Sequence, residues 1–267
     1  MGMLLRDLRM ARDRVAFART LGLEPDAWQE DLLRSEARRI ILNASRQSGK
    51  TTMTGVIALH QALYHPGSLV LILAPSERQS KESYQKVARL SRHTSSLGYA
   101  ILDSDRKTGA QFANGSRIEA LPGTEGSIRG YSGVDLLIVD EASRVSDELY
   151  YAVRPMLAVS DGRLMLLSTP YGRRGIFYET WVDSDGARHS FERYEIPANQ
   201  CPRISEAFLE EERRALPRRV YRQEYECSFE DIEGAVFAAE DIQAAMSADV
   251  KPLFPVGDPV VNLEAVF

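Results

Sequence analysis

The chain has 267 residues, 44% of them hydrophobic and 27% charged, with a formal net charge of −5. That length suits one large α/β domain, or a domain with a small appendage, and the composition is that of an ordinary globular protein. No apolar run approaches the roughly 18 residues of a membrane span, and the acidic balance excludes a surface coated with nucleic-acid-binding charge, though not a local basic face. The N-terminus, MGMLLRDLRMARDR, mixes charges among its apolar residues and lacks the apolar stretch of a signal peptide, so a cytoplasmic location is expected. Cys201 and Cys227 form no CxxC pair, and His60, His65, His93 and His189 are scattered, so neither a zinc site nor a disulfide framework is expected.

The first 38 residues read as a helix, a break at Gly22 and Pro25, and a second helix from about Asp26. RRIILNA (38–44) is a short buried strand. From Gly49 onward, KTTMTGVIALHQALYH has helical spacing and stops at His65-Pro66-Gly67. SLVLILA (68–74) is a second buried strand, followed by a mostly polar helix over 76–92. QFANGSRIEAL (111–121) carries Asn114-Gly115 between alternating residues, a strong hairpin signal. VDLLIVD (134–140) is a third buried strand, a helix runs through DELYYAVRPML, and GRLMLLST (162–169) is a fourth strand. Strands alternating with helices predict the α/β class, with an open, mostly parallel sheet and helices on both faces. After Gly175 a helix (176–182), a strand in SFERYEI and two charged helices near 205–227 predict a smaller subdomain. The expected division is 1–174, 175–232 and a linker or tail at 233–267, where Pro252, Pro255 and Pro259 lie.

LNASRQSGKTT (42–52) looks like a phosphate-binding loop with Ala44 in place of its usual first glycine. Such a loop works because successive backbone N–H groups and a helix N-terminus point at phosphate oxygens. Gly49 lets the backbone turn tightly, Lys50 reaches the β/γ-phosphates, and the Thr51 hydroxyl ligates magnesium. Ser45, Arg46, Gln47, Ser48 and Thr52 complete the candidate nucleotide contacts. LLIVDEAS (136–143) supplies acids at a strand end: Asp140 to hold magnesium and Glu141 to orient the attacking water.

Three further segments each allow two readings. Gln29, upstream of the first strand, is a surface glutamine or a bidentate reader of adenine. Ser168 and Thr169 in LLSTPYG form a simple strand end at Pro170 or sense the γ-phosphate and couple its loss to the subdomain. Arg129 in SIRGYSG is a solvated loop charge or an arginine finger for a neighbouring subunit's site. Local positive clusters at Lys81, Lys86, Arg89 and Arg92, and at Arg106 and Lys107, are solvated faces or contacts to DNA phosphates.

Together SRQSGKTT (45–52), LAPSERQS (73–80), SIRG (127–130), LLIVDEAS, LLSTPYG and RQEYECSFED (222–231) resemble, in order, the ATPase domain of the tailed-phage large terminase subunit. The resemblance covers roughly residues 24–240 and implies a P-loop NTPase fold of the RecA/ASCE type with a lid. It implies a DNA-packaging motor fuelled by ATP and Mg2+ in the host cytoplasm, working as a homo-oligomeric ring with double-stranded DNA, a portal protein and a small terminase subunit. The family commonly has this variant loop, with an arginine at the place of Arg46 as a second phosphate contact. By the same resemblance Gln29 is the adenine reader, Ser168 and Thr169 the coupling segment, and Arg129 the residue acting in trans. Family members continue into an RNase H-like nuclease domain, whereas this chain ends at Phe267, so no metal-dependent DNA cleavage is expected from it. A helicase-type nucleic-acid ATPase and a non-hydrolysing ring or scaffold module are the alternative readings.

Overall fold

The computed structural model describes residues 2–94, 101–103, 108–123, 128, 130–183 and 191–231. Arg106, Lys107 and Arg129 lie outside the described residues, as does the expected tail at 233–267. The expected first helix is two, α1 (Gly2–Arg12) and α2 (Arg14–Thr20), because Asp13 turns extended and its carboxylate accepts from the N–H groups of Val15 and Ala16. A side-chain oxygen there satisfies donors that a continuous helix would bond internally, so the aspartate starts a new helix. α3 (Ala27–Arg34) begins at a reciprocal capping box in which Gln29 accepts from the Asp26 N–H.

The remaining elements follow the expected alternation: β1 (Arg39–Ala44), α4 (Lys50–Tyr64), β2 (Leu69–Ala74), α5 (Glu77–Thr94) and the short strand β3 (Ile101–Asp103). Then come β4 (Gly109–Phe112), β5 (Arg117–Pro122), β6 (Leu136–Asp140), α6 (Asp147–Val153), β7 (Arg163–Ser168) and α7 (Gly175–Val182). β8 (Glu192–Ile196), α8 (Glu206–Ala215) and α9 (Arg218–Tyr225) complete the described part. The sheet order is β3-β4-β5-β2-β6-β7-β1-β8. From β5 to β8 all neighbours pair in parallel, whereas β4 pairs antiparallel with β5 through the Asn114-Gly115 hairpin and β3 antiparallel with β4.

Each central strand is buried on both faces, and its alternation divides the core into two layers. Ile40, Leu42, Val70, Ile72, Ile138 and Leu167 pack with residues of α2 to α5. Ile41, Leu71, Leu73, Leu137, Val139 and Leu166 pack with Leu149 and Val153 of α6 and Ile176 and Phe177 of α7. The carboxyl ends of β6, β7 and β1 therefore lie side by side at one edge of the sheet.

β8 closes the sheet from the far end of the described chain. This strand, which the sequence reading groups with the subdomain at 175–232, hydrogen-bonds in parallel along β1, from Ile40 opposite Glu192 to Ala44 opposite Ile196. Residues Met1–Glu230 form one compact unit, and the expected boundary at 174/175 falls before an edge strand of the same sheet. The pattern of β8 is the reason it reads as peripheral: only Ile196 is buried, as suits a sheet edge.

Candidate active site

The loop after β1 turns sharply before α4. Gly49, the residue before Lys50, has φ +93°, a left-handed conformation that glycine adopts freely. A Cβ there would also meet Gln29 Nε2 at 2.9 Å. The loop is clasped from several distant parts of the chain. The Ser45 N–H donates to the Ile196 carbonyl at 3.0 Å and the Arg46 N–H to the Glu224 carbonyl at 3.1 Å. The Ser48 carbonyl accepts from Gln29 Nε2 at 3.2 Å and from Arg203 Nη2 at 3.0 Å. Arg203 in turn forks onto both carboxylate oxygens of Asp26, each at 2.8 Å, which joins the segment before α8 to the start of α3. Arg46 is exposed and ion-paired to Glu224 at 2.6 Å, and Gln47 is exposed with φ +60°. Beside the loop a cleft of about 710 Å³ is lined by Arg46, Gln47, Arg203, Phe208 and Tyr225.

The acidic residues end β6, two strands away from β1 across β7. At about 4.8 Å per strand that is roughly 10 Å of backbone separation, within reach of a lysine and a glutamate extended toward each other. They meet: Lys50 Nζ lies 3.6 Å from Glu141 Oε1. Lys50 is buried and Glu141 partly so. Glu141 adopts φ +54°, a conformation that costs a non-glycine residue about 1–2 kcal/mol. Its N–H donates to Asp140 Oδ1 at 3.1 Å, and its carbonyl accepts from the Arg144 N–H at 2.9 Å. Ser168 Oγ, at the end of β7, donates to Glu141 Oε2 at 3.4 Å. The same hydroxyl is 2.7 Å from Ser143 Oγ, and Ser143 donates to the Thr169 carbonyl at 2.9 Å. The second acid, Asp140, is 5% exposed, and its Oδ2 accepts from Ser83 Oγ on α5 at 2.7 Å.

Loop, acidic pair and Ser168-Thr169 thus lie together at one end of the sheet. Thr51 and Thr52 are half-buried on the first turn of α4. Gln29 is 3% exposed, and both ends of its amide carry bonds within the chain, to Asp26 and Ser48. Among the basic residues, Lys86, Arg89 and Arg92 are exposed on α5, whereas Lys81 is ion-paired to Glu77 one helical turn away. The sequence reading gives no role of their own to Ser83, Ser143, Arg203 and Glu224. Ser143 lies within DEAS, and Ser83 is a polar residue on the buried face of an amphipathic helix; both signals are local. Arg203 and Glu224 meet the loop from more than 150 positions away; Glu224 lies within RQEYECSFED, but nothing local pairs either residue with the loop.

Two cysteines back the loop. The Cys227 carbonyl accepts from Asn43 Nδ2 at 2.8 Å, and burial, with Glu195 nearby, pushes the Cys227 thiol up to about 12. Burial also raises Cys201, so both stay protonated and unreactive at neutral pH. Among the described residues no three His, Cys, Asp or Glu side chains converge into a metal cage. The pair that the sequence reading offers for magnesium, one hydroxyl (Thr51) and one carboxylate (Asp140), is the donor chemistry of an ion that keeps its waters and takes its other ligands from phosphate.

Residues 41–244 match the family model described as "Terminase large subunit, T4likevirus-type, N-terminal". The chain belongs to the large terminase family. It is 26% identical over 268 residues to the terminase large subunit of Thermus phage G20c, covering 88% of this chain and 55% of that protein. It thus spans about half the length of the curated terminases it matches. The solved ATPase domain of the Thermus phage P74-26 large terminase superposes with a TM-score of 0.70 at 25% identity, over 82% of this chain and 99% of that one. The large terminase of a thermophilic bacteriophage, solved with ATP-γ-S, superposes with a TM-score of 0.59 at 14% identity, over 72% and 47% of the two chains. The terminase fold here is therefore the mostly parallel P-loop sheet expected from sequence. No helix among the described residues of this terminase is long and apolar enough to cross a membrane.

Proposed function

We propose that this terminase chain hydrolyses ATP with magnesium and that turnover drives double-stranded DNA into a viral capsid. The observation that carries the reading is the 3.6 Å approach of Lys50 to Glu141, which joins a phosphate loop to an acidic strand end. A solved large terminase bound to ATP-γ-S and another crystal of it bound to ADP support nucleotide occupancy of this fold.

With nucleotide in the loop, Lys50 exchanges Glu141 for β/γ-phosphate oxygens, and the freed carboxylate orients a water against the γ-phosphorus. The water oxygen bonds to phosphorus as the bond to the β–γ bridging oxygen breaks, giving ADP and inorganic phosphate, with the water proton passing toward Glu141. Thr51 and Asp140 would hold magnesium, which supplies neutralisation of charge on the β- and γ-phosphate oxygens. Arg46 adds a second phosphate contact once it leaves Glu224. An amide has two donor protons and two acceptor sites, so Gln29 keeps one of each for the adenine edge. Ser168 touches Glu141 and neighbours Thr169, a short route from the reacting phosphate to the segment beyond β7. Residues 175–231 act as the lid in this reading, and Arg129 acts on a neighbouring subunit's site in a homo-oligomeric ring.

Lys86, Arg89 and Arg92 are the proposed phosphate contacts to DNA, with Arg106 and Lys107 on the approach to the hairpin. A portal protein and a small terminase subunit are the proposed partners, in the host cytoplasm. ATP hydrolysis measured with and without long duplex DNA, over a magnesium titration, tests the reading. Magnesium-dependent turnover stimulated by duplex is expected. Nucleotide binding without turnover in either condition would leave a scaffold module instead, and stimulation only by single strands would favour a helicase-type enzyme.

A further inference from the structure

α5 carries four small hydroxyl residues, Ser80, Ser83, Ser91 and Thr94, on its buried face. Ser80, Ser91 and Thr94 turn back to carbonyls of their own helix, those of Glu77, Ala88 and Ser91. This is the usual fate of a buried helical serine. Ser83 does otherwise: its Oγ donates across to Asp140 Oδ2 at 2.7 Å. We propose that Ser83 is a positioning residue that holds the Asp140 carboxylate in the orientation needed to receive the nucleotide's divalent cation. The proposal rests on the nucleotide-site reading above.

Three features of the geometry support it. Both groups are only 5% exposed, so little water competes for the bond. The other oxygen, Oδ1, accepts from the Glu141 N–H, so the two bonds together fix a torsion that is otherwise broad and two-fold. Each oxygen retains an unused acceptor site for a cation or its water. Third, Ser83 is itself held firmly. Its neighbour Tyr84 donates to the Gly109 carbonyl, and α5 packs closely on α4, where a Cβ on Gly55 would touch Leu90 and Val87 at 3.4 and 3.6 Å. Since α4 begins at Lys50, the packing that places the loop's helix also places the hydroxyl that aims Asp140. The bond from Oδ1 to the Glu141 N–H extends the same alignment into the strained turn that presents Glu141.

The test is Mn2+ binding to the full chain with ADP, followed by electron paramagnetic resonance. Ser83→Ala is expected to weaken Mn2+ about tenfold or more, because loss of an outer partner of a ligating carboxylate typically costs 10–100-fold. Its Tm and its metal-free ADP affinity should stay near those of the parent, and Ser83→Thr, which keeps the hydroxyl, should restore Mn2+ binding. Unchanged Mn2+ affinity in Ser83→Ala, alongside its loss in Asp140→Asn, would overturn the positioning role while leaving the nucleotide site intact. Unchanged affinity in Asp140→Asn would remove the cation site and the proposal together. Loss of Mn2+ affinity accompanied by a lowered Tm, and not restored by Ser83→Thr, would make Ser83 a packing residue and also overturn it.

Discussion

At the end of β1 the phosphate loop is clasped by the Gln29 amide and by charged and backbone groups from residues 196–224, whereas at the end of β6 the acidic pair is held by the hydroxyls of Ser83 and Ser168, the latter hydrogen-bonded to Ser143. The loop's partners are redundant: the Ser48 carbonyl alone has two side-chain donors. The acidic pair has one hydroxyl for each carboxylate. A loop that must keep its shape whether or not phosphate is present gains from redundant bonds. Each carboxylate of the acidic pair instead rests on few bonds, Asp140 on one hydroxyl and one backbone N–H, so the loss of a single donor worth about 1.5–3 kcal/mol should be felt there more than at the loop.

The largest effect is expected at the acidic end. Glu141→Ala should lower kcat by about 10²–10⁴-fold, the range for a residue that orients and deprotonates the nucleophile, while nucleotide affinity holds. Steady-state turnover beside equilibrium nucleotide binding measures both, and wild-type turnover would remove Glu141 from the chemistry. Lys50→Ala should do the reverse. Losing a charge contact worth about 1.5–3 kcal/mol weakens nucleotide binding about 10- to 100-fold, readable by calorimetry. Equal affinity in parent and variant would mean that the loop is not the phosphate site.

An effect on stability, not on turnover or binding, is expected from pH at the helix that follows the loop. His60, on α4, is buried against the N-terminal helices with Nε2 3.0 Å from the Met10 carbonyl, and burial, with Arg14 nearby, lowers its pKa to about 4. Below its unfolded value of about 6.5 the unfolded chain binds the extra proton more readily, so stability is full above that pH and declines as pH falls toward 4. The loss should be about 2 kcal/mol at pH 5 and about 3 kcal/mol at pH 4, seen as a falling denaturation midpoint. A His60→Gln variant whose stability declines as steeply would assign the slope elsewhere. The smallest effect is expected at the redundant clasp. Arg203→Ala removes a half-exposed ion pair with Asp26 and one of two donors to Ser48. Exposed pairs contribute about 0.2–1 kcal/mol, so nucleotide affinity should fall no more than about fivefold. A loss as large as that of Lys50→Ala would show that the loop depends on one anchor and not on many.

Most of the fold could be read along the chain, as could the segments that carry the candidate site, because each rests on a local rule. Apolar runs on both faces mark parallel strands, Asn114-Gly115 marks the hairpin, and a glycine followed by Lys50 and Thr51 marks where a strand hands over to a helix. The pairing of β8 with β1 could not be read so, since an edge strand has little apolar pattern to announce its partner. Nor could the division of α1 from α2, where a single aspartate serves as either helix interior or cap. Above all, the supports of the site come from contacts between residues distant in sequence: Arg203 to Asp26 and Ser48, Glu224 to Arg46, Ser83 to Asp140. A serine on a helix or an arginine in a turn looks the same in sequence whether it faces water or a carboxylate. Its role is set by the strand order that brings β6, β7 and β1 together and by the packing of α4 on α5.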